Sequence, residues 1–234
     1  GTNGFTILKD GNTITDQSSN SNNFTLGSGT LTNTEDCPSN VFATMATPTW
    51  YDGTIANGGN TVTTNQTNYI YQGASLGVNK GKWYWEVKFL TAGNYMLCGI
   101  TDQPNPSTVF HWVLGSGAYD YAIYYGDGST GGGNGHLIAN GGSGPSNTPG
   151  QFMGALSAGD IMTFALDCDN NTLKIGTNGN WANGSNATDQ TFANTTAKAI
   201  TAVGSTNTGF YFPGCGDYSS ATSVLQYNFG NGYF

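Results

Sequence analysis

The sequence predicts an all-β protein, an antiparallel sandwich of two sheets joined by long Gly- and Asn-rich loops. Gly accounts for 36 of the 234 residues, and aromatic residues make up 13% of the chain. Gly and Asn favour turns that need positive φ angles, while aromatic and β-branched residues favour strands. Helical periodicity is almost absent because Gly and Asn interrupt nearly every window of helical length. Short strand-like segments separated by turns are typical of a sandwich.

The clearest strand signal is "GKWYWEVKF" at 81–89. Its residues alternate in polarity, so that one face carries Trp83, Trp85, Val87 and Phe89. Exposed tryptophans on a strand would suit sugar stacking, but an alternating strand normally turns its apolar face to the core. Burying each of these large side chains stabilises a fold by about 1.5–3 kcal/mol. We therefore predict that these aromatic residues belong to the core and that recognition lies elsewhere.

Further segments with strand character extend to the end of the chain. They are 94–101, 120–126, 160–169, 172–177, 197–204, 209–214 and 224–230. The segment 94–101 is apolar on both faces, as expected of a central strand. Asn170 and Asn171 predict a tight hairpin turn before 172–177, since Asn tolerates positive φ. The Gly-rich interval 126–150 is interpreted as a long surface excursion.

The N-terminal segment 1–57 has weaker strand signals than the rest. We expect it to supply edge strands or a connection to a preceding module, with the sandwich itself formed by 58–234. The chain begins with Gly1 and no signal-peptide pattern follows. We therefore expect a processed product or a piece of a longer polypeptide.

The charge of the chain argues against several classes of partner. Charged residues make up only 9%, against about 25% in an ordinary soluble domain, and the formal net charge is −8. Six Lys and Arg residues in total cannot form the basic stripe that neutralises phosphates. No apolar run approaches the roughly 18 residues of a membrane-spanning helix. We expect no nucleic-acid partner and no membrane insertion.

The cysteines and histidines do not form a metal-binding pattern. The residues concerned are Cys37, Cys98, Cys168, Cys215, His111 and His136, and their spacing matches no paired C-x-x-C arrangement. Cys98 and Cys168 lie in apolar runs, where a free thiol behaves as a small core residue. Cys37 and Cys215 lie in loop-like contexts and could pair, but spacing alone leaves their connectivity open.

Neither a cofactor site nor a catalytic site is predicted. Asp167, Asp169 and Asn171 alternate like calcium ligands, but a calcium loop needs a following Gly and a later Glu. Strand sequence resumes directly at Thr172, so a hairpin turn is the better interpretation. The acidic residues mostly occur in turn-like contexts, and no G-x-S-x-G elbow is present. We expect a protein that is not an enzyme and has no metal or cofactor.

The candidate ligand-binding residues are aromatic residues and polar neighbours in loops. They are Phe110, His111, Trp112, Tyr119, Tyr121, Tyr125, Asp127 and Trp181. Most belong to 105–128, where Tyr and Trp offer large contact areas at low entropic cost beside adaptable Gly and Ser. The run "DYAIYY" also alternates, so about half of its tyrosines should face inward. Binding and structural roles therefore both stay open in this segment.

Several segments occur in an order that is similar to a known family. "GKWYWEV", "LCGITD", "AGDIMTFALDCDNNTLKIGTNGNW", "GFYFPG" and "VLQYNFGNGYF" follow one another along the chain. Together they resemble the SPRY domain, with its aromatic strand, Gly-Ile strand, Gly-Asp hairpin and closing Asn-Phe-Gly strand. The resemblance covers roughly 60–234 and implies a concanavalin-like sandwich of two sheets.

The N-terminal stretch resembles a subtype of that family. "NNFTLGSGTLTNTEDCPSNVFATM" and "NGGNTVTTNQTNYIYQGASLGVNKGKWYWEV" are similar to SPRY-containing tail-fibre and other structural proteins of marine bacteriophages. This resemblance implies a lectin-like tail-fibre or tail-spike adhesin on the virion exterior that binds a host surface polysaccharide or protein. The alternative is a capsid decoration, head-fibre or other structural virion protein whose loops contact sister subunits. Both imply contacts with other virion proteins and a homo-oligomer, with a trimer favoured.

Overall fold

The computed structural model describes thirteen ranges of the chain and divides it into two compact units. The described residues are 1–7, 14–29, 41–46, 53–64, 70–91, 96–103, 114–115, 117–125, 134–139, 153–182, 188–189, 197–217 and 222–230. The smaller unit comprises Gly1–Ala43 and Asn228–Phe234, and the larger unit comprises Thr44–Tyr227.

Fifteen strands occur among the described residues. They are β1 Thr54–Ala56, β2 Thr61–Thr64, β3 Ile70–Gly73, β4 Lys82–Thr91, β5 Met96–Thr101, β6 Tyr121–Tyr125, β7 Asn134–Ala139, β8 Met153–Ala155, β9 Ile161–Asp167, β10 Thr172–Thr177, β11 Asn180–Ala182, β12 Thr188–Asp189, β13 Lys198–Ala199, β14 Phe212–Asp217 and β15 Ser223–Asn228. Two short 3-10 helices occur as well, at Asn57–Gly59 and Val203–Ser205.

The strands form two antiparallel sheets. Sheet A has nine strands in the order β1-β2-β15-β4-β9-β10-β11-β12, and β13 also pairs with β10. Sheet B has six strands in the order β3-β14-β5-β6-β7-β8. This architecture confirms the prediction of an all-β protein with two antiparallel sheets.

Side chains of sheet A reach across to sheet B and define the core between them. The hydroxyl of Tyr227 on β15 donates to the carbonyl oxygen of Gly214 on β14 at 3.2 Å and lies 3.8 Å from Cys98 Sγ on β5. Thr64 Oγ1 on β2 donates to Asp217 Oδ2 on β14 at 2.9 Å. These polar groups are buried, and burial without a partner would be costly. They therefore hold the two layers in one arrangement.

Strand β4 contributes an alternating row to this core, but the row is shorter than the sequence predicts. Trp85, Val87 and Phe89 are buried, and Trp85 stacks on Phe164 with ring centroids 5.1 Å apart. Trp83 is 49% exposed, so its assignment to the core was wrong. The first three residues of β4 are exposed on both faces, which means that the buried part of the strand starts only at Trp85.

The middle of sheet B is buried on both faces, as predicted for 94–101. Every residue of β5 and of β6 is buried. Gly99 on β5 lies opposite Ala122, and a Cβ atom at Gly99 would come within 2.0 Å of the carbonyl oxygen of Tyr121. Only glycine therefore allows this close approach of the two strands.

The predicted hairpin between β9 and β10 is present. Asp167 and Thr172 are register partners, and Asn171 adopts a φ of 54°. Asn178, with a φ of 51°, and Gly179, with a φ of 77°, turn the chain from β10 into β11. Asn tolerates this left-handed region better than most residues, which explains its use in both turns.

Two predicted segments differ from the structure. The Gly-rich interval 126–150 contains strand β7, which pairs with β6, so this interval is not simply a surface excursion. The predicted strand 197–204 is reduced to the short strand β13. The chain enters a 3-10 helix at Val203–Ser205 soon afterwards.

The described cysteines are buried free thiols. Cys98 and Cys215 are register partners on β5 and β14, and both are fully buried. Burial raises the pKa of Cys98 to about 12 and that of Cys168 to about 11. Cys215 therefore lies in a core strand and not in a loop, and its thiol is unpaired. Cys37 lies outside the described residues.

The smaller unit is organised around the carboxylate of Asp16. Its Oδ1 accepts hydrogen bonds from the N–H groups of Thr6 at 2.8 Å and Ser18 at 2.9 Å. Its Oδ2 accepts from Ser18 Oγ at 2.8 Å and from the N–H of Asn22 at 2.7 Å. These bonds, with that from Thr6 the largest contribution, outweigh burial and lower the pKa of Asp16 to about 2. The ionised carboxylate thus links the backbone of the smaller unit at Thr6, Ser18 and Asn22.

We predict that the amide resonances of Thr6, Ser18 and Asn22 titrate with a midpoint near pH 2. Because the folded pKa lies at about 2 and the ordinary value at 3.8, the stabilisation is complete above the ordinary pKa. It is lost as the pH falls through the folded pKa. An NMR titration from pH 6 to pH 1.5 measures the midpoint. Asp16→Asn should abolish it, and a midpoint near pH 4 would contradict the prediction.

We also predict that Trp85→Ala and Trp83→Ala differ sharply in their effect on stability. Removing the buried, stacked ring of Trp85 should lower the free energy of unfolding by about 3–5 kcal/mol. Removing the half-exposed ring of Trp83 should cost about 1 kcal/mol or less. Equilibrium unfolding in urea measures both, with Trp85→Phe as a conservative control. Equal losses for the two alanine variants would contradict the burial difference.

Candidate functional site

Four of the eight candidate ligand-binding residues lie outside the described residues. They are Phe110, His111, Trp112 and Asp127. Tyr119 is described and lies half-buried in the turn before β6. Its binding role stays a prediction.

Tyr121 and Tyr125 are core residues, which corrects their placement in a ligand-binding loop. The hydroxyl of Tyr121 accepts a hydrogen bond from the N–H of Thr201 at 2.8 Å, and the Tyr121 ring packs edge-on against Tyr211 at 6.3 Å. The hydroxyl of Tyr125 donates to the carbonyl oxygen of Leu156 and accepts from the N–H of the same residue at 2.8 Å. Both rings are buried on β6, because this strand lies inside sheet B and is covered on both faces.

The outer face of sheet A carries a groove of about 350 Å³ at one end of β4, β9 and β10. Strand register places its side chains in rows, since residues directly opposite on antiparallel strands share a face. The residues that line it are Lys82, Trp83, Tyr84, Ala165, Leu166, Asp167, Asn170, Thr172 and Lys174. All of them belong to the larger unit.

One row of the groove contains Tyr84, Ala165 and Lys174, which are successive register partners on β4, β9 and β10. Ala165 has the shortest of these side chains and lies in the middle. The long side chains of Tyr84 and Lys174 therefore stand on either side of a shallow depression. Tyr84 is 54% exposed, so its ring is available to a ligand.

The neighbouring row contains Lys82, Asp167 and Thr172 and ends at the hairpin turn. Lys82 Nζ lies 3.3 Å from Asp167 Oδ2. Asp167 also accepts hydrogen bonds from the N–H of Asn170 at 3.0 Å and from its side-chain amide at 2.8 Å. The bonds from Asn170, with a smaller contribution from Lys82, lower the pKa of Asp167. Asp167 is thus held as a carboxylate that supports the turn.

The exposed rings of Tyr84, on the outer face of β4, and of Trp83, on the same face as Trp85, are each held by a hydrogen bond. The hydroxyl of Tyr84 donates to Glu86 Oε1 at 2.5 Å. Burial, together with this bond and the charge of Glu86, raises the pKa of Tyr84, so the phenol stays neutral. Trp83 Nε1 donates to the carbonyl oxygen of Lys80 at 2.8 Å. Each ring therefore has a preferred orientation before any ligand arrives.

Trp181, a candidate ligand-binding residue, belongs to the same face of sheet A. It is the register partner of Gly176 on β10. Gly176 pairs with Thr163 on β9, and Thr163 pairs with Glu86 on β4. This row is next to the row of Tyr84 and Lys174. Trp181 is half-buried and lies beside the groove without lining it.

The arrangement suits noncovalent binding. The ring of Tyr84, an amide, a hydroxyl, two ammonium groups and a carboxylate surround a shallow depression, and such groups bind by stacking and hydrogen bonding. Within the described residues, no group of three His, Cys, Asp or Glu side chains is placed to hold a metal. No helix in the same part of the chain is long and apolar enough to cross a bilayer.

Sequence reasoning placed Trp83 in the core and did not consider Tyr84 as a site residue. A usable signal was nevertheless present in the sequence. The polar face of 82–88 carries Lys82, Tyr84, Glu86 and Lys88, and Tyr is enriched among the residues that dominate binding energies.

Comparisons with known proteins show the fold of this chain. No family model matches the chain, and no curated protein matches it either. The SPRY domain of human HERC1 is 19% identical with a TM-score of 0.48, covering 76% of this chain and 92% of that chain. The TRIM65 PSpry domain is 10% identical with a TM-score of 0.51, covering 82% of this chain and 93% of that chain. The structural similarity to the TRIM65 PSpry domain supports the architecture described above. The fold is a SPRY-like β-sandwich.

Proposed function

We propose that this chain is a non-enzymatic binding module of a bacteriophage virion that attaches to polysaccharide on the host cell surface. The observation that carries the proposal is the groove on the outer face of sheet A, with the exposed ring of Tyr84 beside several polar groups. In this proposal the module belongs to a tail fibre or tail spike on the virion exterior. It binds through contacts alone, without a cofactor.

The geometry of the groove favours a saccharide as the ligand. Sugar rings present apolar C–H faces that stack on aromatic rings, and their hydroxyl groups need donors and acceptors nearby. Tyr84 supplies an exposed ring at the wall of the groove, while Asn170 and Thr172 supply polar groups at its end. The depression over Ala165 leaves room for a sugar ring between Tyr84 and Lys174. A protein ligand is the competing possibility that the experiment below separates.

The virion setting is supported by the sequence. The segments of 60–234 resemble the SPRY domain in their sequence and order, and the Asn- and Thr-rich N-terminal stretch resembles SPRY-containing tail-fibre and other structural proteins of marine bacteriophages. Low charge and abundant small residues suit close packing between copies. We therefore propose a homo-oligomer, with a trimer favoured, in contact with other virion proteins.

A structural virion protein is the second candidate, and one observation on the smaller unit favours it. Phe5 and Phe24 pack edge-on at 4.7 Å yet remain 53% and 44% exposed. Leu26 and Val41 are exposed in the same unit. Exposed apolar residues in such numbers often mark protein contacts. Contacts of this kind would serve a capsid decoration or a head fibre as well as a tail fibre.

The proposal predicts that Tyr84→Ala weakens adsorption of the protein to host cells by about tenfold or more, because aromatic anchors dominate binding energies. Leu76→Ala and Phe210→Ala are matched controls, since both residues are exposed and apolar but do not line the groove. Fluorescently labelled, fully assembled protein is incubated with a panel of marine bacteria, and bound protein is measured by flow cytometry.

Treatment of the cells identifies the class of receptor. Periodate oxidation of surface saccharides should abolish adsorption, while protease treatment should leave it intact. The reverse pattern would indicate a protein receptor and contradict the saccharide assignment. Assembled protein that adsorbs to no bacterium, together with particle images that place this chain on the capsid, would favour the structural candidate.

A further inference from the structure

Two lysines line the groove, although the chain as a whole is acidic. The chain has six basic residues against 14 acidic ones, and every basic residue is a lysine. Five of these six lie on or next to β4, β10 and β13, namely Lys80, Lys82, Lys88, Lys174 and Lys198. Strands β4 and β10 both flank β9, and β13 pairs with β10. Of these five, Lys82 and Lys174 line the groove, whereas Lys198 is the register partner of the core residue Leu173 and lies on the other face of the sheet.

The carboxylates in this region are engaged by the backbone. Asp167 accepts hydrogen bonds from the N–H groups of Asp169 at 3.1 Å and Asn170 at 3.0 Å. Asp169 Oδ1 accepts from the N–H of Gly81 at 3.0 Å. These oxygens hold the β9–β10 hairpin against the start of β4. Their capacity to receive further donors from a ligand is correspondingly reduced.

The ammonium group of Lys82, unlike these carboxylates, keeps donors available to a ligand. Its side chain is 74% exposed, although Nζ lies 3.3 Å from Asp167 Oδ2. An ammonium group has three donors, so Lys82 can keep this contact and still donate to a ligand. Lys174 lines the opposite side of the same groove. The two lysines therefore flank the depression in which the proposed sugar ring would lie.

We propose that the ligand of this groove is an acidic saccharide, one that carries a carboxylate or a sulfate on its sugar rings. This inference rests on the proposed function and specifies its substrate class. A neutral sugar would be served by hydroxyl and amide groups alone, and it would gain little from two long lysines. Charge-assisted hydrogen bonds to an anion are shorter and about twice as strong as neutral ones. The lysine ammonium group acts as a point charge and can bind either a carboxylate or a sulfate.

The experiment compares matched pairs of oligosaccharides that differ only in charge. Oligogalacturonate is compared with its methyl ester, and a sulfated galactan oligomer with its desulfated form, each by isothermal titration calorimetry on the assembled protein. At least one charged form should bind about tenfold more tightly than its neutral partner. Its affinity should fall as NaCl is raised from 50 to 500 mM, since salt screens exposed charges. The charged form that binds identifies the anionic group.

Variants locate the binding to the groove. Lys82→Gln and Lys174→Gln should each weaken binding of the charged form about tenfold and leave the neutral form unchanged. Lys88→Gln is the matched control, because Lys88 lies on the same face of β4 but does not line the groove. Thermal unfolding confirms that each variant is folded. An effect of Lys88→Gln as large as that of Lys174→Gln would overturn the assignment.

The outcomes separate this inference from the proposed function. Equal binding of charged and neutral forms, sensitive to Tyr84→Ala, would overturn the acidic class while supporting saccharide binding in the groove. Adsorption to host cells without measurable binding of either charged form would also overturn the inference and leave the adhesin proposal standing. If untreated cells show no adsorption that periodate removes, the result would instead count against the proposed function.

Discussion

The register between β4 and β9 places Trp85 directly opposite Phe164, with the two rings stacked 5.1 Å apart in the core. Because side chains alternate along a strand, the same register puts Tyr84 opposite Ala165 on the outer face. A slip of one residue would bring Tyr84 into the core and expose Trp85. The free energy of burying the two stacked rings opposes that slip. The groove is therefore a consequence of the same pairing that builds the core, and it cannot be lost without disturbing the core.

A second set of contacts anchors the end of the sheet where the groove lies. The N–H of Cys168 donates to the carbonyl oxygen of Gly81 at 3.0 Å, and the N–H of Gly81 donates to Asp169 Oδ1 at 3.0 Å. Asn171, with a φ of 54°, closes the hairpin beyond them. These bonds fix the start of β4 to the turn between β9 and β10. Lys82 and Asp167 consequently face each other at a defined separation, although an exposed ion pair alone contributes little to stability.

Alternation and turn chemistry were enough to predict the two-sheet sandwich, the hairpin at Asn171 and the fully buried strand β5. They were not enough to place individual aromatic residues. Alternation assigns a side chain to a face of a sheet, but it does not say how far along that face the second sheet extends. Trp83 lies beyond the covered part and is exposed for this reason. Tyr121 was misplaced for the opposite reason, because a Tyr-rich strand with partners on both edges resembles a binding loop in composition.

A site on strands differs physically from a site on loops. Loop residues must be ordered when a ligand binds, and this ordering opposes association. The phenol of Tyr84 is held by Glu86. The backbone of Tyr84 belongs to a central strand whose neighbours are paired. Little conformational entropy is left for a ligand to remove, so the saccharide binding proposed above would need only a few well-placed contacts in a shallow groove. Several copies in the proposed fibre would multiply that affinity.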